Sequence, residues 1–140
     1  MAVQKTFGII KPDSVRKKVS GKIISMIEEK GLAIIGIKKI SLSTEQAEMF
    51  YEVHKGKAFF EELVKFMVSG PVFVMALEGE EAIAGWRTIM GATDPAKATE
   101  GTIRKLFGSS VGENAVHGSD APETAVQEIN FFFSRIDLVS

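Results

Sequence analysis

The sequence contains no cysteine, which excludes a disulfide framework and a thiolate metal site. It also lacks a long hydrophobic run: the apolar stretch nearest the amino terminus, residues 3–10, is too short to span a membrane. The opening residues, MAVQKT, do not have the features of a signal peptide. These absences favour a cytoplasmic protein that does not enter a membrane.

Net charge is almost absent as well. The formal value is −1, whereas a general nucleic-acid binder is strongly basic. Arginine occurs four times, at positions 16, 87, 104 and 135, so an anionic ligand would be attracted by a few cations gathered locally. The sequence has neither a GxxxxGK[ST] motif nor a GxGxxG fingerprint. Side chains, and not a glycine cradle, would therefore have to hold any phosphate.

The length of 140 residues predicts one domain, residues 1–140. Apolar, β-prone runs predict strands over 6–10, 32–42, 72–77 and 115–117. Helical periodicity, caps and glycine stops predict helices over 20–31, 43–54, 57–70, 81–90, 103–107 and 122–133. The uneven spacing argues against a doubly wound parallel sheet. It fits an α+β fold of the ferredoxin-like, split β-α-β type.

The heptapeptide Asn-Ala-Val-His-Gly-Ser-Asp at 114–120 contains one of the two histidines, His117, at the end of a short predicted strand. The glycine after it lets the backbone turn sharply. Asp120, Pro122 and Glu123 then predict a helix start with Asp120 as its cap. A histidine beside a tight turn can serve as base, metal ligand or nucleophile. A surface or structural histidine is the alternative that this stretch leaves open.

Further blocks extend this motif in one order along the chain. They are Thr-Phe-Gly-Ile-Ile-Lys-Pro-Asp at 6–13, Tyr51 and Phe59, Gly-Ala-Thr-Asp-Pro at 91–95, and Gly-Thr-Ile-Arg at 101–104. With Asn-x-x-His-Gly-Ser-Asp they resemble the nucleoside diphosphate kinases over nearly the whole chain. The resemblance implies a four-stranded antiparallel sheet covered by helices. It also implies γ-phosphoryl transfer from a nucleoside triphosphate to a nucleoside diphosphate, by ping-pong exchange through a phosphohistidine and with broad base tolerance.

The resemblance gives His117 the role of nucleophile, phosphorylated on its pros nitrogen. A carboxylate on the last helix orients the imidazole in this family; Glu128 is the matching residue, with the Ser119 hydroxyl bonded to it. Lys11 would contact the transferring phosphate and the sugar 3′-hydroxyl, and Tyr51 would hydrogen-bond near the γ-phosphate. Without the resemblance, Glu128 would be interpreted as a solvated helix position and Tyr51 as an amphipathic helix edge.

The same resemblance assigns a set of residues to nucleotide binding: Lys11, Phe59, Arg87, Thr93, Arg104, Val111 and Asn114. The two arginines would make bidentate contacts to phosphate oxygens, and the threonine hydroxyl would donate to a phosphate. The base would stack on the phenylalanine with the valine opposite, and the asparagine would reach the sugar. Mg²⁺ would bridge the nucleotide phosphates, with no ligand taken directly from the protein.

Three further expectations concern single side chains. Phe59 and Phe60 are adjacent on a predicted helix, so one is expected in the core and the other more exposed. His54 is interpreted as a surface histidine at a helix end, outside the shared chemistry. The last helix is expected to direct four apolar side chains towards the core: Val126, Ile129, Phe132 and Phe133.

Relatives in the resembled family form tetramers or hexamers built from dimers, so a homo-oligomer is expected, with the hexamer preferred. Glu100 departs from the family pattern, in which proline is common before Gly-Thr-Ile-Arg. Residues 105–107 lack an acidic residue that many members carry. Both departures lie in a loop that relatives use for subunit contacts, so they bear on the choice between tetramer and hexamer.

Two other functions stay open at this point. A nucleic-acid-binding ferredoxin-like module would present aromatic residues on its central strands, where Phe7 and Phe73 lie, but the near-neutral charge counts against it. A phosphohistidine carrier would dock partner proteins and bind no nucleotide. Neither a membrane nor an obligate nucleic-acid partner is expected.

Overall fold

The computed structural model describes residues 3–139. Four strands form one antiparallel sheet in the order β2-β3-β1-β4: β1 Val3–Ile10, β2 Ala33–Ile40, β3 Val72–Glu80 and β4 Val116–Gly118. The helices are α1 Pro12–Arg16, α2 Ser20–Glu29, α3 Thr44–Phe50, α4 Phe60–Met67, α5 Ala82–Met90, α6 Ile103–Phe107 and α7 Pro122–Phe132. This is the strand order of a split β-α-β fold. The predicted α+β class and antiparallel sheet are confirmed.

Each strand directs alternate side chains to opposite faces of the sheet. Both faces carry apolar side chains, so helices cover both. On one face Phe7 and Ile9 belong to an apolar cluster shared with α3, α4 and α7. On the other face Ile10 and Met75 belong to a second cluster, shared with α2 and α5. Within residues 3–139, no helix is both long and apolar enough to cross a membrane.

The pairing of β1 with β4 sets the direction in which His117 points. His117 lies opposite Ile9, and Gly118 lies opposite Gly8. Residues directly opposite in an antiparallel pair share a face of the sheet. His117 therefore faces α3 and α7, while the two glycines face α5.

Gly8 and Gly118 form a slot for the indole of Trp86. A Cβ atom added at Gly8 would lie 3.0 Å from the ring, and one added at Gly118 would lie 2.7 Å from it. Trp86 is fully buried, and its Nε1 donates to the His117 carbonyl at 3.2 Å. Close packing of α5 on the β1–β4 pair therefore requires glycine at both positions.

Several element limits differ from the sequence prediction. The helix α1 was not predicted, because five residues are too few to show helical periodicity. The Ser43–Gln46 capping box is present, but the helix that it starts ends at Phe50 and is followed by a 3₁₀ turn over Glu52–His54. The β1 and β3 strands are longer than predicted, because their polar ends continue the ladder as far as the Val3–Glu80 pair.

The predicted start of α7 at Pro122 is confirmed, but the prediction that Asp120 caps the helix was wrong. The N-cap position is Ala121, and the Thr124 hydroxyl accepts hydrogen bonds from the amides of Asp120 and Ala121. The prediction that Val126 is a core residue was also wrong, since its side chain is 59% exposed. Ala125 and Ile129, four residues apart, form the buried face, and Val126 lies about 100° away around the helix. Ile129 and Phe133 are buried and Phe132 is partly buried, as expected.

Candidate active site

His117 is held by a carboxylate from α7. Its Nε2 lies 2.9 Å from Glu128 Oε1, and the Ser119 hydroxyl donates to the same oxygen at 2.8 Å. The His117 and Glu128 side chains are each 21% exposed. When a carboxylate accepts from Nε2–H, the ring proton stays on that nitrogen and Nδ1 keeps a free lone pair. The geometry therefore leaves Nδ1, the pros nitrogen, as the reactive atom.

Aromatic rings line the imidazole on its sheet face. Phe7, Phe50 and Tyr51 have ring centroids 6.1, 5.5 and 6.2 Å from that of His117. Phe132 stacks on Phe7 at 5.3 Å. These rings shield the His117–Glu128 pair from water, which strengthens its electrostatic interactions. Phe50 was not predicted as a site residue. Its position next to Tyr51, on a helix with a clear capping box, was the one feature of the sequence that indicated it.

Tyr51 is 6% exposed, so it is not an exposed edge of its helix. Its hydroxyl oxygen is buried without a hydrogen-bond partner among residues 3–139. Burial raises the pKa of the Tyr51 phenol, and the Glu128 carboxylate adds to the rise. The phenol therefore stays protonated at neutral pH, as a donor whose acceptor has to come from outside the described chain.

Lys11 follows directly after β1 and is 8% exposed. Its Nζ donates to Asn114 Oδ1 at 2.9 Å, and Asn114 Nδ2 donates to the Thr93 carbonyl at 3.1 Å. Burial lowers the pKa of Lys11 to about 8; the Arg104 charge adds to this effect and the Asp13 carboxylate opposes it. Three predicted site residues, Lys11, Asn114 and Thr93, are thus linked in one hydrogen-bonded chain.

Arg104 binds the backbone around this chain. Its Nε, Nη1 and Nη2 donate to the carbonyls of Asn114, Gly91 and Val116 at 3.3, 3.0 and 2.9 Å. A guanidinium has five N–H donors, so these three contacts leave two for a ligand. Burial lowers the pKa of Arg104 to about 10, with Arg87 contributing, and the group remains charged at neutral pH.

Arg87 projects from α5 with half of its side chain exposed. Its Nη1 forms an ion pair with Asp120 Oδ1 at 2.6 Å. Exposed ion pairs contribute little free energy. A phosphate with two or more negative charges can therefore replace Asp120 as the partner of Arg87.

Phe59 and Phe60 face different ways, as predicted: Phe59 is 49% exposed and Phe60 is 8% exposed. The His54 ring lies between Phe59 and Tyr51, with centroids 5.2 and 6.4 Å away. Lys57 Nζ lies 3.2 Å from His54 Nδ1 and 5.8 Å from the Phe59 centroid. His54 lies at the end of the 3₁₀ turn, as predicted, and its partly buried ring connects Phe59 with the aromatic rings around His117.

Val111 lies in an exposed loop and is 58% exposed. A cleft of about 940 Å³ is lined by Arg87, Thr93 and Arg104 among others, but not by His117 or Phe59. The cleft therefore does not contain the reacting atom. The hydrogen bonds around His117 identify that atom instead. Within the described ranges, no group of three or more histidine, aspartate or glutamate side chains is placed to hold a metal ion.

Comparisons with known proteins agree on one family. The family model described as "Nucleoside diphosphate kinase" matches residues 4–138. Proteins of that name from Persephonella marina and Maricaulis maris are 55% and 59% identical to the chain over 139 residues, covering 99% of each sequence.

Solved structures agree with the sequence relatives. The nucleoside diphosphate kinase of Aquifex aeolicus superposes with a TM-score of 0.96 at 44% identity, over 99% of this chain and 100% of that one. A halophilic nucleoside diphosphate kinase from Halobacterium salinarum, in complex with CDP, gives a TM-score of 0.95 at 40% identity, over 99% and 93%.

Proposed function

The chain belongs to the nucleoside diphosphate kinase family, and we propose that residues 1–140 act as one domain whose phosphoryl transfer runs through His117. The single observation that carries this proposal is the bond between His117 Nε2 and Glu128. It fixes the tautomer in which Nδ1 has a lone pair directed away from the carboxylate. Ser119 supports the same carboxylate oxygen and so helps to orient the ring.

The proposed reaction has two halves. Nδ1 of His117 attacks the γ-phosphorus of a nucleoside triphosphate, the bond to the β,γ-bridging oxygen breaks, and the nucleoside diphosphate leaves. A terminal phosphate oxygen of a second diphosphate then takes the phosphoryl group from Nδ1. The Glu128 carboxylate stabilises the positive charge that the imidazole gains during attack.

Charge on the transferring phosphoryl group would be met by side chains around His117. Lys11 supplies a buried ammonium, and Tyr51 supplies the hydroxyl that has no partner within residues 3–139. Arg104 has two further N–H donors, Arg87 can exchange Asp120 for phosphate, and the Thr93 hydroxyl would donate to a phosphate oxygen. Such a set stabilises the transition state by preorganised charge.

The nucleoside would be held at the mouth of the site. Phe59 offers a half-exposed ring for stacking, and Val111 would close on the other side of the base. Asn114 is buried, and it would reach the sugar through Oδ1, which accepts from Lys11 Nζ and can accept a second hydrogen bond. Stacking does not read hydrogen-bonding edges, so the four common bases should be accepted. The structure of the relative from Halobacterium salinarum in complex with CDP supports nucleotide binding by this chain.

Mg²⁺ would be held chiefly by oxygens of the nucleotide phosphates, the ligands that this ion prefers. No ligand would come directly from the protein, and the exposed Asp120 carboxylate beside Arg87 would favour a cation near the phosphates without binding it. When bound, Mg²⁺ would neutralise negative charge on the phosphate oxygens.

We also propose that the protein acts in the cytoplasm as a homo-oligomer, a hexamer or a tetramer. Support for self-association comes from β2, which is an edge strand of the sheet and carries Ile37 with 43% of its surface exposed. An edge strand offers unpaired backbone groups to another chain.

The test of the proposed function separates it from its alternatives. The protein is incubated with ATP labelled at the γ-phosphate, freed of nucleotide, and then given GDP. We expect an acid-labile, base-stable adduct in the first step and labelled GTP in the second. His117→Asn should form no adduct, whereas His54→Asn should still form it. An acid-stable adduct, or an adduct on the His117→Asn protein, would refute the assignment; an adduct that GDP cannot discharge would indicate a phosphohistidine carrier.

A further inference from the structure

The backbone immediately before His117 is strained. Val116 N donates to the Asn114 carbonyl at 2.9 Å, so Asn114, Ala115 and Val116 form a γ-turn. The central residue, Ala115, has φ of 76°, a region that favours glycine. This form of γ-turn is rare, and a non-glycine residue stays in it when its surroundings hold it there.

Both polar groups of the Ala115 backbone are bound by the junction between β1 and α1. The Ala115 N–H donates to Asp13 Oδ2 at 3.0 Å, and the Ala115 carbonyl accepts from the Lys11 N–H at 2.9 Å. Ala115 itself is fully buried. The turn therefore cannot relax to an ordinary conformation without breaking the bond to the Asp13 carboxylate.

Asp13 is a buried carboxylate with one unpaired oxygen among the described residues. It is 3% exposed, on the first turn of α1. Its second oxygen, Oδ1, has no hydrogen-bond partner among residues 3–139. A buried carboxylate in such a position costs free energy, so it calls for an explanation beyond the packing of a five-residue helix.

The turn connects two groups of the reaction site. Asn114, at its start, accepts from Lys11 Nζ, and His117 comes directly after its last residue. A shift of the turn would therefore move the Lys11–Asn114 pair relative to Nδ1 of His117. Displacements of about 1 Å can cost about a hundredfold in rate.

We propose that Asp13 is a positioning residue for phosphoryl transfer: its carboxylate holds the strained turn, and the turn holds Lys11 and His117 in register. In this role Asp13 acts through its bond to the Ala115 N–H and not by contact with the nucleotide or the transferring phosphate. The inference rests on the proposed function, because it takes His117 and Lys11 as the groups that act on the phosphate.

The first test uses the strain in the turn. Asp13→Ala should slow phosphorylation of His117 by about a hundredfold, because the N–H of Ala115 loses its acceptor. Glycine adopts a positive φ without steric cost, so Ala115→Gly alone should phosphorylate at nearly the normal rate. Adding Asp13→Ala to the Ala115→Gly protein should then cost about tenfold or less. Ser14→Ala, at a fully buried neighbour on the same helix, controls for disturbance of α1 and should leave the rate nearly unchanged.

The second test uses the charge. Asp13→Asn keeps an oxygen that can accept from Ala115 but removes the negative charge. The charged groups that act on Lys11 are Asp13, which raises its pKa, and Arg104, which lowers it. In Asp13→Asn the Lys11 pKa should therefore fall, and the alkaline limb of the rate should move to lower pH. NMR titration of the Lys11 ε-methylene measures this shift directly and needs no turnover.

The outcomes are separable. Denaturant melts report whether each variant is folded. If Asp13→Ala does not fold, the rate of Asp13→Asn decides: asparagine keeps an acceptor for the Ala115 N–H, so at a pH where Lys11 is charged the rate should stay within about tenfold of normal. An equal loss from Asp13→Ala in both backgrounds, or a loss of about a hundredfold in folded Asp13→Asn at that pH, would overturn the proposal. Absence of an acid-labile adduct in the unmodified protein would instead refute the proposed function. In that case the Lys11 titration would still show whether Asp13 acts on Lys11.

Discussion

Burial gives two ordinary side chains of the site unusual acid–base behaviour. The Lys11 pKa is lowered to about 8, so its ammonium is close to losing its proton in mildly alkaline solution. The Tyr51 pKa is raised, so its phenol remains a donor over the same range. Burial disfavours the charged form in each case, and it therefore moves the two values in opposite directions.

The rate should depend on the protonation of Lys11. Because the pKa in the folded protein lies below the usual lysine value, the positive charge is present below about pH 8 and is lost as the pH rises through that value. We expect kcat/KM with saturating Mg²⁺ to fall along an alkaline limb near pH 8. Lys11→Arg should remove that limb, because a guanidinium stays charged, while Lys17→Arg should retain it. A profile that stays flat well beyond the Lys11 pKa would contradict the role of Lys11.

The predictability of the site differs from residue to residue. Lys11 and His117 lie in motifs that are visible in the sequence, so both could be predicted as site residues without the structure. Glu128 was selected by resemblance alone, because its approach to His117 depends on how α7 packs on β1, which helical periodicity does not contain. Asp13 belongs to the Lys-Pro-Asp block, but no role was predicted for it. Its bond to Ala115 N joins positions 102 residues apart, and a contact of that kind is not visible in the sequence.

At the scale of elements, the two adjacent phenylalanines at the start of α4 have different roles. Phe60 belongs to the apolar cluster on the α3, α4 and α7 face, while Phe59 lies at the N-cap position and is about half exposed. Sequence alone predicted the division, because neighbours on a helix are about 100° apart. Periodicity leaves open which ring faces inwards; the resemblance assigned Phe59 to the outside, and the exposures of the two rings agree with that assignment.

The division predicts opposite effects for two alanine substitutions. Phe60→Ala should destabilise the fold by about 3–5 kcal/mol, because it leaves a cavity in the core. Phe59→Ala should leave stability nearly unchanged and weaken binding of ADP, GDP, CDP and UDP by about one to two orders of magnitude. Calorimetric titrations and denaturant melts of both variants measure the two effects. Normal binding by Phe59→Ala together with easy unfolding would reverse the assignment of the two rings.

Element boundaries were predicted less well than element types. The α1 helix was missed because it is short, and Val126 was misassigned because its neighbour Ala125 continues the buried stripe of α7. The Ser43–Gln46 capping box and the stop at Gly31 were correct. Caps and glycines act through local backbone geometry, which can be predicted from the sequence. The choice of the buried face depends on the element that packs against the helix, and the sequence alone does not show which element that is.

At the scale of the whole molecule, no other strand among residues 3–139 pairs with the outer edge of β2, where the Val139 N–H donates to the Ile35 carbonyl at 2.8 Å. The β2 strand pairs with β3 on one side, and it presents Ile37 and two lysines, Lys38 and Lys39, along its length. Lys38 is paired with Asp137 near the end of the described chain. Charged residues discourage uncontrolled pairing along an edge, so association there should be specific.

The oligomer should therefore be discrete and should depend on this strand. Light scattering at micromolar concentration is expected to show a hexamer or a tetramer for the unmodified protein. Ile37→Glu should shift the distribution towards smaller species, because it places an unpaired charge in the contact. Val126→Glu, a matched change of an exposed residue on α7, should leave the distribution unchanged. A monomer at that concentration would refute self-association itself.

The slot between Gly8 and Gly118 gives the protein a spectroscopic reporter of its own. Trp86 is the one tryptophan of the chain, and its indole donates a hydrogen bond to the backbone of the residue that would be phosphorylated. Its fluorescence therefore comes from a single place, on the opposite face of the strand from the imidazole. A change in charge at His117 would alter the electric field at the indole and so its emission. Each half of the exchange could then be timed by stopped-flow mixing with unlabelled nucleotides.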